Sequence, residues 1–236
     1  MKSENLTSLK LSNDVKMIFI KVPAGEFLMG SKEEDELYHM SPSDEIPQHL
    51  VYLEDYWIGQ TPVTNSQFAC FNNNQKISIA FSEDPVTHVN WYEALEFCDW
   101  MAKKTGYPIH LPSEAEWEKA ARGTDGQIFP WGDEFPTAEL TSNIINGHQV
   151  GCFPKGASPY GVLDMAGNVF EWVSDWYDDQ YYHQSPYRNP QGPLDGTLKV
   201  CRGGDWWDDI WYLRAASRYD EEPNKSNYRT GFRCVF

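Results

Sequence analysis

The residues able to do nucleophilic, redox or metal chemistry are few and scattered. Five cysteines stand at Cys70, Cys98, Cys152, Cys201 and Cys234. No two form a CxxC pair, so a zinc ribbon or thioredoxin motif is absent, and scattered thiols of this kind are expected as small buried apolar side chains. The six histidines (His39, His49, His88, His110, His148 and His183) show neither an HExxH motif nor zinc-ligand spacing. No Gly-x-Ser-x-Gly elbow occurs, and Gly203-Gly204 alone is no phosphate loop. The densest chemistry lies near the C-terminus. Trp206, Trp207, Trp211, Tyr212, Tyr219 and Tyr228 are interleaved there with Asp205, Asp208, Asp209, Asp220, Glu221 and Glu222. Aromatics beside adaptable polar groups suit a binding face. The same pattern would arise if the tryptophans were core and the acids merely solvated, and Trp206 is expected to be buried.

The chain has 236 residues, 41% hydrophobic and 23% charged, a globular composition with a net charge of −16. That charge argues against nucleic-acid partners and anionic membranes, since both would be repelled, but leaves cation binding open. The first residues lack a continuous apolar stretch, and no segment has the length of a membrane span. The expectation is a cytoplasmic protein without membrane insertion, in which the sequon Asn5-Leu6-Thr7 stays idle.

The elements that position these groups can be read in outline. Residues 1–15 are polar and expected as an N-terminal arm before a domain at 16–236. Met17–Val22 and Glu26–Gly30 read as strands, 31–48 as a loop, and His49–Ile58 as another strand. A short helix is expected from Thr61 to Phe71, capped by Thr64 with Gln67 three residues on. Asn72 to Ser82 follows as a loop. Asn90 should cap a helix over Trp91–Thr105, whose apolar Trp91, Ala94, Leu95, Cys98 and Met101 recur at helical spacing before Gly106 stops it. Ser113 should cap a further helix ending at Gly123. Beyond it, loops dominate, with brief strands near Val169–Val173, Lys199–Gly203 and Phe232–Phe236. The fold class is α+β, loop-rich, with two to three helices and few regular strands.

Eight segments in fixed order resemble the formylglycine-generating-enzyme (sulfatase-modifying factor) family: Val22–Ser31, Thr61–Asn65, Pro85–Trp91, Leu111–Glu118, Phe129–Gly132, Gly161–Trp172, Arg202–Gly204 and Gly231–Arg233. The resemblance implies an irregular C-type-lectin-like fold. In the family's enzymes two cysteines shortly after Arg-Gly-Gly hold copper and oxidise a sulfatase cysteine. Here that stretch, Asp205–Leu213, is slightly shorter and contains no cysteine. Carboxylates are hard ligands that cannot replace two thiolates for Cu(I). No catalytic residue is therefore assigned, and the enzyme reading (a divergent copper- or other metal-dependent oxidase) becomes the alternative. The family also implies calcium, held by the carboxylates of Asp164 and Glu171 and the carbonyls of Gly167 and Val169, oxygen donors of the kind calcium takes. A second calcium site would map onto Asn143, Ile144, Asn146 and His148. A family disulfide maps onto Cys98 and Cys234, expected as neighbours whether bonded or as thiols. Another maps onto Ala121 and Ala215, both partners being replaced together.

The layout also resembles the variable proteins of diversity-generating retroelements, which share the fold and diversify a segment from Arg-Gly-Gly to Gly-Phe-Arg at adenine-rich codons. Asp208, Asp209, Ile210, Tyr212, Tyr219, Asp220, Asn224, Ser226 and Tyr228 are all one or two adenine changes from Asn codons. The expected function is non-catalytic binding, with another protein as ligand. The face would comprise Asp205, Trp207, Asp208, Asp209, Trp211, Tyr212, Tyr219, Asp220, Glu221, Asn224, Ser226 and Tyr228, on a frame held by Arg202, Gly203, Gly204 and Arg233. A scaffold domain with no ligand of its own is the third reading.

Overall fold

The structure is a computed structural model describing residues 5–32, 43–72, 79–137 and 149–236. Met17 and Phe19 on one face and Ile20 and Val22 on the other are buried in β2 (Lys16–Val22), which lies between β1 (Leu6–Lys10) and β5 (Tyr56–Gly59), antiparallel to both. β3 (Gly25–Met29) and β4 (His49–Leu53) form a separate antiparallel ribbon. Two expectations are corrected here. The N-terminal segment is no loose arm over residues 6–10: Leu9 and Leu11 are buried, and burying them repays the ordering of this polar stretch. The strand anticipated over His49–Ile58 breaks at Glu54-Asp55 and feeds two different sheets.

The helices follow their caps. α1 (Asn65–Ala69), α2 (Trp91–Thr105) and α3 (Glu114–Arg122) each begin with a complete capping box, at Thr64/Gln67, Asn90/Glu93 and Ser113/Glu116 respectively. α1 is shorter than expected and ends before Phe71. Gly106 closes α2 in the left-handed conformation that glycine reaches without steric cost.

The C-terminal half centres on a four-stranded sheet in the order β8-β7-β6-β9: Arg218–Glu221, Lys199–Arg202, Phe170–Trp176 and Thr230–Phe232. β6 and β9 run parallel, the other pairs antiparallel. The last strand sits earlier than the expected Phe232–Phe236, because Val235 pairs instead as isolated bridges with Ile58 and His110. Among the described residues two large apolar clusters fill the interior, one around Trp117 and one around Phe97, Trp172 and Phe232, with a smaller third around Phe129 and Leu213. Each buried indole satisfies its N–H: Trp117 donates to Glu171 (2.9 Å) and Trp172 to the Val89 carbonyl (3.1 Å).

Candidate binding face and metal loop

The inner side of the C-terminal segment is built from arginines. The Ser113 box places Glu114 and Glu118 one turn apart on α3, where they stack on one face. Arg202 ends β7 fully buried. It donates to the Glu118 carboxylate (2.5 Å) and to the carbonyls of Ala215, Ala216 and Ser217. Arg218 grips Glu114 through Nε (2.8 Å) and Nη2 (3.0 Å) and reaches the Asp44 carbonyl. Arg214 forks onto Glu45 at 2.6 and 2.7 Å. Three cations thus tie residues 202–218 to α3 and to the Ser43–Glu45 turn, satisfying acids that could not otherwise remain buried.

The outer side carries the aromatics. Trp207 is 75% exposed and Tyr228 52%, with Tyr212 and Tyr219 also exposed. Asp209, Asn224 and Ser226 are exposed as well, while Asp208, Trp211 and Asp220 are half-buried. Two candidate face residues lie inside instead. Asp205 is fully buried, its Oδ1 accepting from the Trp207 amide (2.8 Å) and its Oδ2 from Arg229 Nε. Glu221 is buried and pairs with Lys225 at 3.0 Å. Trp206, expected in the core, is only half-buried.

Sequence reasoning missed Arg229 and Phe170. Arg229 also donates to Asp208 (2.7 Å), whose second oxygen accepts the Asp205 amide (2.9 Å), so one guanidinium clasps the 205–208 loop. That guanidinium lies over the Phe170 ring, on which Tyr219 stacks at 4.7 Å. Burial raises the Asp208 carboxyl above its ordinary range against the opposing pull of Arg229. Only the position of Arg229, just before the Gly-Phe-Arg motif, hinted at this role.

The loop from Leu163 to Trp172 passes beneath Gly203, whose carbonyl accepts the Gly167 amide (2.8 Å). Asp164 and Asn168 both adopt positive φ, 57° and 69°. Burial pushes the Asp164 carboxyl up to about 6; the Gly151 amide (2.7 Å) and Arg233 oppose this, and Glu171 adds to it. Glu171 is fully buried, with Arg233 on both oxygens at 2.6 Å. Both polar atoms of the buried Asn168 amide lack hydrogen-bond partners. Among the described residues, no group of three or more His, Cys, Asp or Glu stands together as a metal cluster. The second set, Asn143, Ile144, Asn146 and His148, lies outside the described residues. The Cys98 and Cys234 sulfurs are 3.6 Å apart and buried, and burial drives the Cys98 thiol well above its usual pKa. Ala121 and Ala215 are both fully buried in one cluster. Among the described residues, no helix is long and apolar enough to cross a membrane.

Against known proteins, residues 8–236 match the sulfatase-modifying factor enzyme 1-like domain. The chain is 33% identical to the serine/threonine-protein kinase pkn1 of Chlamydia caviae over 93% of its own length, but spans only 38% of that relative. It is 30% identical to the formylglycine-generating enzyme of Streptomyces coelicolor, covering 92% of this chain and 88% of that protein. Its fold superposes on Treponema denticola variable protein 1 with a TM-score of 0.78, at 24% identity and 98% coverage of both chains. The chain therefore belongs to the sulfatase-modifying factor (formylglycine-generating enzyme) family and carries its irregular α+β, C-type-lectin-like fold.

Proposed function

We propose that this domain is a non-catalytic binding module whose C-terminal segment displays a diversifiable surface to a protein ligand. One observation carries the reading. The nine candidate positions for variation are all exposed or half-buried, whereas Arg202, Leu213, Arg214, Ala215, Ala216, Ser217 and Arg218 between and before them are buried; codon distance alone does not separate the two sets, since the buried Asp205 and Ser217 are equally one change from Asn codons. A surface that varies on a constant interior needs that partition. Asp208 stands in the stretch where the family's enzymes carry copper-binding thiols, and Arg229 holds it in an ion pair. The resemblance to variable proteins supports the same reading.

Two measurements test it. The coding 3′ end should have a near-duplicate beside a reverse-transcriptase gene, differing at adenines in the codons for these nine residues. Duplicates differing at codons for the buried arginines would sink the idea. Purified protein given copper and a cysteine peptide should neither consume oxygen nor yield an aldehyde; turnover would establish the oxidase alternative instead.

Calcium belongs to this proposal. The carboxylates of Asp164 and Glu171, with the carbonyls of Gly167 and Val169, are oxygen donors of the kind calcium takes, although Glu171 would have to share an oxygen now held by Arg233 and Trp117. A cation there would also relieve the raised Asp164 and could take up the unpartnered Asn168 amide oxygen. Its contribution would be to stiffen the loop under Gly203. Calcium at a hundred times its Kd should stabilise the chelator-treated protein by about 2.7 kcal/mol in thermal melts. Asp164→Ala should abolish that shift, and no shift in the wild type would remove calcium from the account.

A further inference from the structure

A cleft of about 640 Å³ opens where the turn before β2, the start of α1 and the loop at Val150-Gly151 meet. It shares no residue with the 205–230 face. Its walls are tied together by backbone groups. The Gln60 amide donates to the Ile18 carbonyl (2.9 Å), Gln67 Nε2 to the Lys16 carbonyl (3.0 Å) and the Val150 amide to the Glu83 carbonyl (2.9 Å). Behind them the Leu163 amide donates to the Gln60 carbonyl (2.8 Å). The cleft is therefore preformed, as ligand sites usually are. The side chains lining it are not used up in this way. Asp14, Lys16 and Glu83 are exposed, and among the described residues none of them forms an ion pair, with one another or elsewhere. The one side-chain bond to their charged groups is from Ser66 Oγ to Glu83, at 3.3 Å. The Thr61 and Ser82 hydroxyls likewise have no hydrogen-bond partner among the described residues.

We propose that this cleft binds a short peptide with free termini, its carboxylate against Lys16 and its ammonium against Glu83 and Asp14. Opposite charges left unpaired around one cavity carry the inference. A guest with a single charge would satisfy one sign and meet the other unfavourably, and a neutral polyol would use the hydroxyls alone. A zwitterion completes both signs, through charge-assisted hydrogen bonds that are stronger than neutral ones. Thr61 and Ser82 can each donate and accept, as peptide amides and carbonyls require. Val15, Ile18 and Leu163 add apolar surface for small side chains. The volume lies in the middle of the range for ligand sites and exceeds what one amino acid fills. A phosphorylated guest would meet two carboxylates against one ammonium, and among the described residues no aromatic ring lines the cleft to stack a base.

The test titrates the full chain by calorimetry with L-alanyl-L-alanyl-L-alanine, its N-acetylated form, its C-terminal amide, and L-alanine. The free tripeptide should saturate and bind about tenfold tighter than either capped form or L-alanine. Lys16→Gln should erase its advantage over the amide, and Glu83→Gln combined with Asp14→Asn its advantage over the acetylated form. These side chains are exposed, and the wall bonds at Lys16 and Glu83 are made by backbone carbonyls, so both variants should melt with the wild type. Backbone amide NMR shifts on adding the tripeptide should fall on Lys16, Thr61, Ser82 and Gly151. Equal binding of free and capped peptides, no saturation, preferences retained in both variants, or shifts confined to residues 205–230 overturns the proposal. Tighter binding of L-alanine would make the guest a free amino acid and overturn the peptide assignment.

Discussion

The C-terminal segment has two sides that share one sequence and obey opposite rules. Inward, Arg202, Arg214 and Arg218 are buried among Glu118, Glu45 and Glu114, each acid supplied from far away in the chain. Outward, Trp207, Tyr212, Tyr219 and Tyr228 are the large side chains left in solvent. Globular proteins usually place these types the other way round. The inversion separates holding from presenting. The polar interior fixes the path of the backbone by directional contacts, so that path does not depend on which side chains point outward.

The largest expected effect breaks the inner side. Arg202→Ala leaves Glu118 Oε2 and three carbonyl groups without their buried donor, Glu118 keeping only Arg122 and the Gly30 amide on its other oxygen, and should cost about 3–5 kcal/mol in urea denaturation. If it costs under 1 kcal/mol, the arginine frame does not hold the segment. A second effect sharpens where the strain in this polar interior lies. Asp175 on β6 is buried against Glu114, accepting that residue's amide (2.9 Å), and burial together with Glu114 lifts its carboxyl from 3.8 to about 7. The folded state then keeps a proton that the unfolded chain releases between about pH 4 and 7. Stability should therefore fall as pH rises through that window. Asp175→Asn should remove this loss and exceed the wild type at pH 8 by on the order of a few kcal/mol, while matching it near pH 4. Parallel melting-temperature profiles for the two proteins would show the carboxyl to be ionised without penalty.

What was legible in the sequence divides along the same line. α2 could be bounded to the residue because Asn90, Glu93 and Gly106 mark its ends through local hydrogen bonds. β8 could not, because its inward residues are Arg218 and Glu221, which carry no apolar alternation. Their partners are Glu114, Asp44 and Lys225, and the first two lie more than a hundred residues away. Asp205 was placed on the face for the same reason: beside two tryptophans it looks displayed, and only Arg229 accounts for its burial. Leu9 and Leu11 were hidden in a polar stretch whose strand partner is β2. Local chemistry is written in consecutive residues, whereas a polar core is written in pairs that a single sequence does not mark.

The smallest effect on stability tests the outer side. Trp207 is three-quarters exposed, and its backbone amide, not its ring, takes part in the Asp205 clasp. Trp207→Ala removes the ring and leaves that amide in place, so unfolding free energy should change by less than about 0.5 kcal/mol. Tyr228→Ala should behave alike, because its neighbour Arg229 carries the contacts to Asp205 and Asp208. Thermal melts of both variants, beside Arg202→Ala, give the comparison its numbers. If Trp207→Ala destabilises by as much as Arg202→Ala, the ring is part of the fold and the outer side is not free to vary. If both outer variants melt with the wild type, the aromatics are held in solvent at no structural benefit, which is the state expected of side chains kept for a partner.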